Sequence, residues 1–99
     1  MSAVLNELGR SDMNLSLHTG TIDPPSMLAG ADGVATTTQI DVVLGDGVVG
    51  FPPIDMEEVL HSCYVSATGT IEVAFLNGNA NTKDLASSVW TFLIMKNAA

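Results

Sequence analysis

The feature that most constrains the fold is a tight turn between two strand-like runs. Thr68-Gly69 separates Ser62–Ala67, which is rich in β-prone residues, from Thr70–Leu76, in which every second side chain is apolar. A period of two puts alternate side chains on one face of a strand. A two-residue link that ends in Gly is typical of a β-hairpin. The sequence therefore predicts a strand, a turn and a second strand in this part of the chain.

A third run follows a polar segment and is apolar on both of its alternating faces. Apart from Thr91, Val89–Met95 carries only apolar side chains. A strand of this kind is central in its sheet or lies at a contact between subunits. We predict that Trp90 and Phe92 anchor the core, because aromatic side chains bury the largest areas. The surplus apolar residues predict an oligomer contact, through Leu93 and Met95.

Shorter strand-like runs occur along the rest of the chain, at Met13–His18, Val34–Leu44 and Val48–Phe51. Strands at intervals of about ten residues, separated by Gly, Pro and Asn, indicate an all-β fold. The expected architecture is a compact antiparallel β-sandwich, jelly-roll-like, of about six to eight short strands. Its two sheets are predicted to share a core of Leu15, Leu17, Ile40, Val42, Val65, Ile71, Val73, Phe75, Trp90, Phe92 and Ile94.

Two segments fall outside this β pattern. Ile54–Leu60 is predicted to form one helical turn, with Asp55 as its cap. The first ten residues form either a short helix or an extended arm that docks on a neighbouring subunit, and the sequence favours neither. The predicted organisation is an N-terminal arm over residues 1–12 and a single β domain over residues 13–99. The apolar residues of the arm, and its expected contacts with a partner, are Val4, Leu5 and Leu8.

Composition and charge restrict the classes of partner. The 99 residues carry a net charge of −8 and only three basic side chains, whereas binding to a phosphate backbone requires Lys and Arg. Nucleic acid is therefore not expected as a partner. Charged residues make up 14% of the chain and apolar residues 46%, a balance that favours an oligomer or a docked subunit. No signal peptide or membrane-spanning run is evident, so we expect synthesis in a cytoplasm and no membrane partner.

No set of residues in the sequence has the spacing of a catalytic, metal or cofactor site. His18 and His61 lie far apart, and Cys63 is the only cysteine. A lone cysteine in a strand pattern is most simply a small buried hydrophobe. Calcium-loop spacing, a phosphate-binding Gly loop and a nucleophile elbow are all missing from the sequence. We therefore expect a protein that is not an enzyme and that holds no metal or cofactor.

One family resemblance emerges from the order of these turns and strands. The motifs that carry it are Ile22-Asp23-Pro24-Pro25-Ser26, Gly45-Asp46, Pro52-Pro53, Tyr64-Val65-Ser66-Ala67, Thr70-Ile71 and Trp90-Thr91-Phe92. In this order, from residue 22 onward, the chain resembles small β-rich structural proteins of tailed bacteriophages, of the capsid cement or decoration type.

The resemblance implies a virion protein on the exterior of the capsid. It would bind the assembled shell of the major capsid protein as a homotrimer, with no catalytic residues. The alternative is a tail or fibre β-sandwich that binds a host surface glycan through an exposed loop. Glycan sites usually present an aromatic platform, and this chain has one Trp and one Tyr, both within strand patterns.

Overall fold

Six β-strands form the protein in a computed structural model that describes residues 14–39 and 41–96. No helix occurs in these two ranges. The strands are β1 (Asn14–Ile22), β2 (Asp32–Thr38), β3 (Gly47–Phe51), β4 (Leu60–Ala67), β5 (Thr70–Leu76) and β6 (Ser88–Lys96). The arm predicted over residues 1–12 lies outside the described residues.

The strands form two antiparallel three-stranded sheets. The first sheet has the order β1-β6-β3 and the second the order β2-β5-β4. The predicted hairpin is confirmed: β4 and β5 are joined at Thr68-Gly69, where Gly69 has a φ of 83°, a conformation that Gly adopts at low cost. The prediction for Val89–Met95 is confirmed as well, because β6 is the central strand of the first sheet.

The inner faces of the two sheets pack against each other. Trp90, on β6, makes edge-to-face contacts with His61 on β4 and Phe75 on β5, at ring-centroid distances of 5.1 and 6.1 Å. Trp90 and Phe92 are fully buried, as predicted. The other predicted core residues that prove buried are Val42, Val65, Ile71, Val73, Phe75 and Ile94.

Two of the predicted core residues lie on the surface instead. Leu15 is 50% exposed and Leu17 is 69% exposed, because the register of β1 with β6 turns them to the outer side of the sheet. The inward positions of β1 hold Ser16, His18 and Gly20, followed by the buried Ile22. Ile40, another predicted core residue, lies outside the described residues.

The strand predicted over Val34–Leu44 is shorter than expected, since β2 ends at Thr38. The chain then turns inward. The Gln39 backbone N–H donates to the carbonyl of Gly69 at 2.9 Å, and its side-chain amide donates to the carbonyl of Thr19 at 2.8 Å. A buried carboxylate holds the far end of this loop: Asp46 accepts from the backbone N–H of Val43 at 3.0 Å and pairs with Lys96 at 2.7 Å.

The prediction of a helical turn over Ile54–Leu60 is wrong. Glu57 and Glu58 both have positive φ angles, 51° and 66°, and an L-residue in this left-handed region cannot belong to a right-handed helix. Asp55 stabilises a turn here and does not cap a helix: its carboxylate accepts a hydrogen bond from the backbone N–H of Glu57 at 2.9 Å. The side-chain amide of Asn79 donates to the backbone carbonyl of Glu57, and the Lys83 ammonium donates to the Glu57 carboxylate.

Candidate interaction surface

The outer face of the first sheet is the most unusual surface in the described part of the chain. The pairing of β1 and β3 with β6 sets its outward side chains in cross-strand rows. From one end of the sheet to the other, these rows are Leu15·Met95·Gly47, Leu17·Leu93·Val49, Thr19·Thr91·Phe51 and Thr21·Val89. We call this surface the apolar face.

The apolar face carries no charge at any of its positions. Its polar groups are the hydroxyls of its threonines. Its most exposed apolar side chains are Leu17, Val89, Leu15 and Phe51, each at least 50% exposed. This is unexpected in a chain of net charge −8. Charges are normally interspersed over the surface of a soluble protein. A contiguous apolar patch usually marks a site of contact with another molecule.

The outer face of the second sheet provides the contrast within the same molecule. Its strands carry Asp32 and Glu72 outward, together with a run of Thr and Ser positions and the exposed apolar side chains of Val34, Leu60 and Leu76. The hydroxyl of Tyr64 donates a hydrogen bond to the Glu72 carboxylate, and this bond raises the pKa of the tyrosine above its ordinary value. The two outer faces therefore differ in chemistry, although both belong to three-stranded sheets of similar size.

The sequence of β6 explains why its sheet has an apolar outer side. As the central strand it buries Trp90, Phe92 and Ile94 inward and still presents Val89, Leu93 and Met95 outward. In β1 the usual arrangement is reversed, with polar or small side chains inward and leucines outward. Those inward polar groups have partners, since Ser16 and His18 lie 3.1 Å apart and Asp41 lies 3.6 Å from the same ring.

Both residues predicted as an oligomer contact lie on the apolar face. Leu93 is half-buried at its centre, and Met95 is 38% exposed. The role assigned to them stays a prediction. Sequence reasoning missed Leu17 and Phe51, the most prominent side chains of the two edge strands, because it placed Leu17 in the core. The arm residues Val4, Leu5 and Leu8 lie outside the described residues.

The size of the apolar face can be judged from strand geometry. Strands about 4.8 Å apart that rise about 3.4 Å per residue give β1, β6 and β3 together a flat footprint on the order of 400 Å². The largest apolar patch of a typical monomer spans about 300–600 Å² and is often functional. The apolar face is therefore large enough to be a contact surface.

Ser16, His18 and Asp41 form the one cluster that resembles a catalytic relay in the residues described. In a Ser–His–Asp relay the hydroxyl and the carboxylate bind opposite ring nitrogens. Here both approach Nε2 of His18, at 3.1 and 3.6 Å. The cluster fixes the inner side of an edge strand and does not have the geometry of an activated nucleophile.

A groove of about 280 Å³ runs between the edge strands β3 and β4. His61 and Cys63 line it together with Val48, Val49, Gly50 and Ser62. Burial raises the pKa of the Cys63 thiol to about 11, and a hydrogen bond from the Gly50 backbone opposes this effect. The nucleophilic form of cysteine is the thiolate, so Cys63 is protonated and unreactive near neutral pH.

Residues 14–39 and 41–96 contain no group of three or more His, Cys, Asp or Glu side chains placed to hold a metal ion. They also contain no helix that is long and apolar enough to span a membrane.

Comparison of the chain with protein-family models, with curated proteins and with solved structures found no match.

Proposed function

We propose that this protein is a non-enzymatic structural subunit of a bacteriophage virion, of the capsid cement or decoration type. In this role it binds the assembled shell of the major capsid protein and stabilises it. The observation that carries the proposal is the apolar face, an uncharged surface on a strongly acidic subunit. A subunit that functions by contact with other proteins needs such a surface, and a solitary monomer does not.

The proposed partners are the major capsid protein and other copies of this chain, three copies according to the family resemblance. The protein is made in the host cytoplasm and ends on the outside of the capsid. Leu93 and Met95 belong to the contact between copies. Val4, Leu5 and Leu8, on the N-terminal arm, reach the neighbouring capsid subunits, since ten extended residues span up to about 33–36 Å.

The proposed fold is a jelly-roll-like β-sandwich. Its support is the strand order: β1 pairs with β6, β2 pairs with β5, and the remaining strands β3 and β4 flank β6 and β5 in opposite sheets. Such pairing of the first strand with the last is what results when a long antiparallel ribbon rolls into two sheets. Jelly rolls of this type occur among viral capsid and lectin domains.

The charge of the chain supports a contact made mainly of apolar groups. A subunit of charge −8 is repelled by acidic or phosphate-lined surfaces, and the residues proposed to reach the shell, Val4, Leu5 and Leu8, carry no charge that could form an ion pair. Contacts that lack ion pairs depend little on ionic strength, because salt screens charges and leaves apolar burial in place. We expect attachment to the shell to persist at high salt.

The alternative, a glycan-binding tail or fibre module, has less support. Trp90 is fully buried and cannot stack on a sugar. The exposed aromatic side chains, Phe51 and Tyr64, lie on the outer faces of different sheets, so they cannot form one platform.

Co-sedimentation with shells tests the proposal. The shells are assembled from the major capsid protein encoded in the same genome and lack this subunit. We expect the full-length chain to pellet with them across a series from low to high salt, and a chain without Met1–Gly9 to fold and to pellet less. A full-length chain that stays in the supernatant at every salt concentration contradicts the proposal. Undiminished pelleting of the truncated chain would assign the contact to the β domain.

A further inference from the structure

We propose that the apolar face is covered by a second copy of this chain, with the β1 half of one face packed on the β3 half of the other. This inference rests on the proposed function only in taking the protein to associate with itself.

The charge of the chain favours a second copy at the apolar face over a contact at any other face. Two copies that each carry a charge of −8 can approach closely only where neither presents a carboxylate. The apolar face meets this condition along β1, β6 and β3. The other outer face, with Asp32 and Glu72, would place like charges opposite each other, which is unfavourable.

The orientation follows from the heights of the side chains along each row. Leu15 stands out at one end of its row, and the other end is Gly47, over which only the flexible Met95 side chain lies. In the row of Thr19 the heights are reversed, because the large residue there is Phe51. In both of these rows, therefore, one edge strand carries a large side chain and the other edge strand carries a small one.

Pairing β1 of one copy with β3 of the other, row by row, exploits this complementarity. Leu15 then lies over Gly47, Phe51 lies over Thr19, and the middle row sets Leu17 on Val49. Pairing β1 with β1 would instead set the leucines of the two copies on each other and leave Phe51 without a recess. Sheets packed face to face keep such alignment within about 30°.

A symmetry axis parallel to β6 produces this contact in a closed assembly of two or three copies. With two copies, each face covers the other completely, and Leu93 lies at the axis. With three copies, each β1 half meets the β3 half of the next. The homotrimer implied by the family resemblance is therefore compatible with this contact, and so is a dimer.

The area indicates how strong the association is. A standard interface covers about 800 Å² of accessible surface on each partner, and the flat footprint of the apolar face is on the order of 400 Å². Side chains that stand out from the sheet raise the accessible area above the footprint, but the contact remains at the small end of the range. We expect an oligomer that forms at micromolar concentrations and dissociates on dilution.

Matched charge variants provide the first test, by sedimentation equilibrium of the full chain without shells. Leu17→Lys puts a charge on the apolar face, and Val34→Lys makes the same change on the outer face of the second sheet, where Val34 is also exposed on an edge strand. We expect Leu17→Lys to weaken association at least about 30-fold, which is about 2 kcal/mol at 1.4 kcal/mol per tenfold. Val34→Lys should leave association unchanged.

Two outcomes of this experiment overturn the inference. One is a wild-type chain that remains monomeric up to about 100 μM, well above the micromolar range expected for a small interface. The other is an equal effect of the two lysine variants. Removal of Met1–Gly9 should leave the association intact, and a loss there would show that the N-terminal segment covers the face instead. Failure of shell binding in the earlier assay would leave these results untouched.

Disulfide trapping tests the orientation. In a Cys63→Ala background, we expect Leu17→Cys combined with Val49→Cys to form disulfides between copies, giving covalent species of two or three chains. Within one copy these positions lie two strands apart, about 9.6 Å, and their side chains leave the sheet in the same direction, so they cannot form a disulfide. Between copies the two side chains point toward each other across the contact, which brings their sulfur atoms together. Leu17→Cys alone should not cross-link. Cross-linking of that single variant, or none by the pair in an associated sample, overturns the β1-on-β3 arrangement.

Discussion

The side chain of Asn77 joins the loops at one end of the molecule, and its removal should be costly. Asn77 is fully buried. Its amide nitrogen lies 3.0, 3.1 and 2.9 Å from the carbonyl oxygens of Met27, Leu28 and Asn81. Its amide oxygen accepts from the backbone and side chain of Asn79, both at 3.0 Å. One side chain thus stabilises loops from distant parts of the chain.

We expect Asn77→Ala to lower the free energy of unfolding by about 3–4 kcal/mol. A typical hydrogen bond contributes about 1 kcal/mol net, and a buried group left without a partner costs about 1–3 kcal/mol. Several of these bonds are only partly buried, so water replaces some of them. The total stability of a small domain is about 5–15 kcal/mol, and this loss is a large share of it.

Urea unfolding followed by the fluorescence of Trp90, the single tryptophan, measures the effect at one protein concentration. Asn81→Ala is the control, because Asn81 is exposed and contributes its backbone carbonyl to the network. It should cost less than about 0.5 kcal/mol. Asn77→Asp tests whether the side chain faces carbonyl oxygens, because it replaces the amide donor with a negative charge. At pH 7 its carboxylate would face carbonyl oxygens, so it should be less stable than Asn77→Ala and should recover as the pH falls toward about 4.

A free energy of unfolding for Asn77→Ala within about 1 kcal/mol of the wild type would show that Asn77 does not stabilise these loops. A loss of unfolding free energy in Asn77→Asp that does not change with pH would also contradict the proposed role of Asn77.

The remaining expectations concern the core and the groove between β3 and β4. Phe92→Ala should cost about 3–5 kcal/mol because the ring is fully buried, and a melting temperature within two or three degrees of the wild type would contradict this. In Gly50→Ala the new Cβ would lie 2.5 Å from Sγ of Cys63, so we expect a loss of about 1–3 kcal/mol; part of it should be recovered when Cys63→Ala is added, and a purely additive double mutant would exclude the clash. Because the Cys63 thiol ionises in the folded state only near pH 11, alkylation should be slow at pH 8. Its stabilising contribution should be complete below about pH 9, where the unfolded thiol is still protonated, and should be lost between about pH 9 and 11; equal pH profiles for the wild type and Cys63→Ala over this range would contradict that.

The strands that the sequence predicted best are those whose own side chains determine their position. Val89–Met95 is apolar on both faces, a pattern that predicts a central strand or a contact between subunits, and the hairpin at Thr68-Gly69 is determined by local turn chemistry. These features depend on near neighbours in the chain. Pattern reasoning on a single sequence is sufficient for them.

The inner face of β1 could not be predicted in the same way. Alternation shows that Leu15 and Leu17 share a side of the strand, but it does not show which side faces the core. The answer depends on the other side, where Ser16 and His18 are only 3.1 Å apart and Asp41 is close. Long-range contacts that satisfy these polar groups permit them to point inward. The error hid the apolar face, since its most exposed leucine had been placed in the core.

The segment before β4 failed as a prediction for a related reason. A helical pattern of apolar and acidic residues is present, but Glu57 and Glu58 adopt left-handed conformations. Contacts from Asn79 and Lys83, more than twenty residues away, help to hold that turn. The helix propensity of the residues in the segment does not include such long-range hydrogen bonds.

Oxidative footprinting of side chains by hydroxyl radicals measures whether the apolar face is covered on the virion, by comparing dilute free protein with the same protein on intact particles. Met95, Phe51 and Leu17 report on the apolar face, and Tyr64 and Leu76 report on the outer face of the second sheet, where both are exposed. We expect the first three to be oxidised in the free protein and protected on the particle, while the other two remain accessible. Protection of Tyr64 and Leu76 with no change at Met95 and Phe51 would contradict the account.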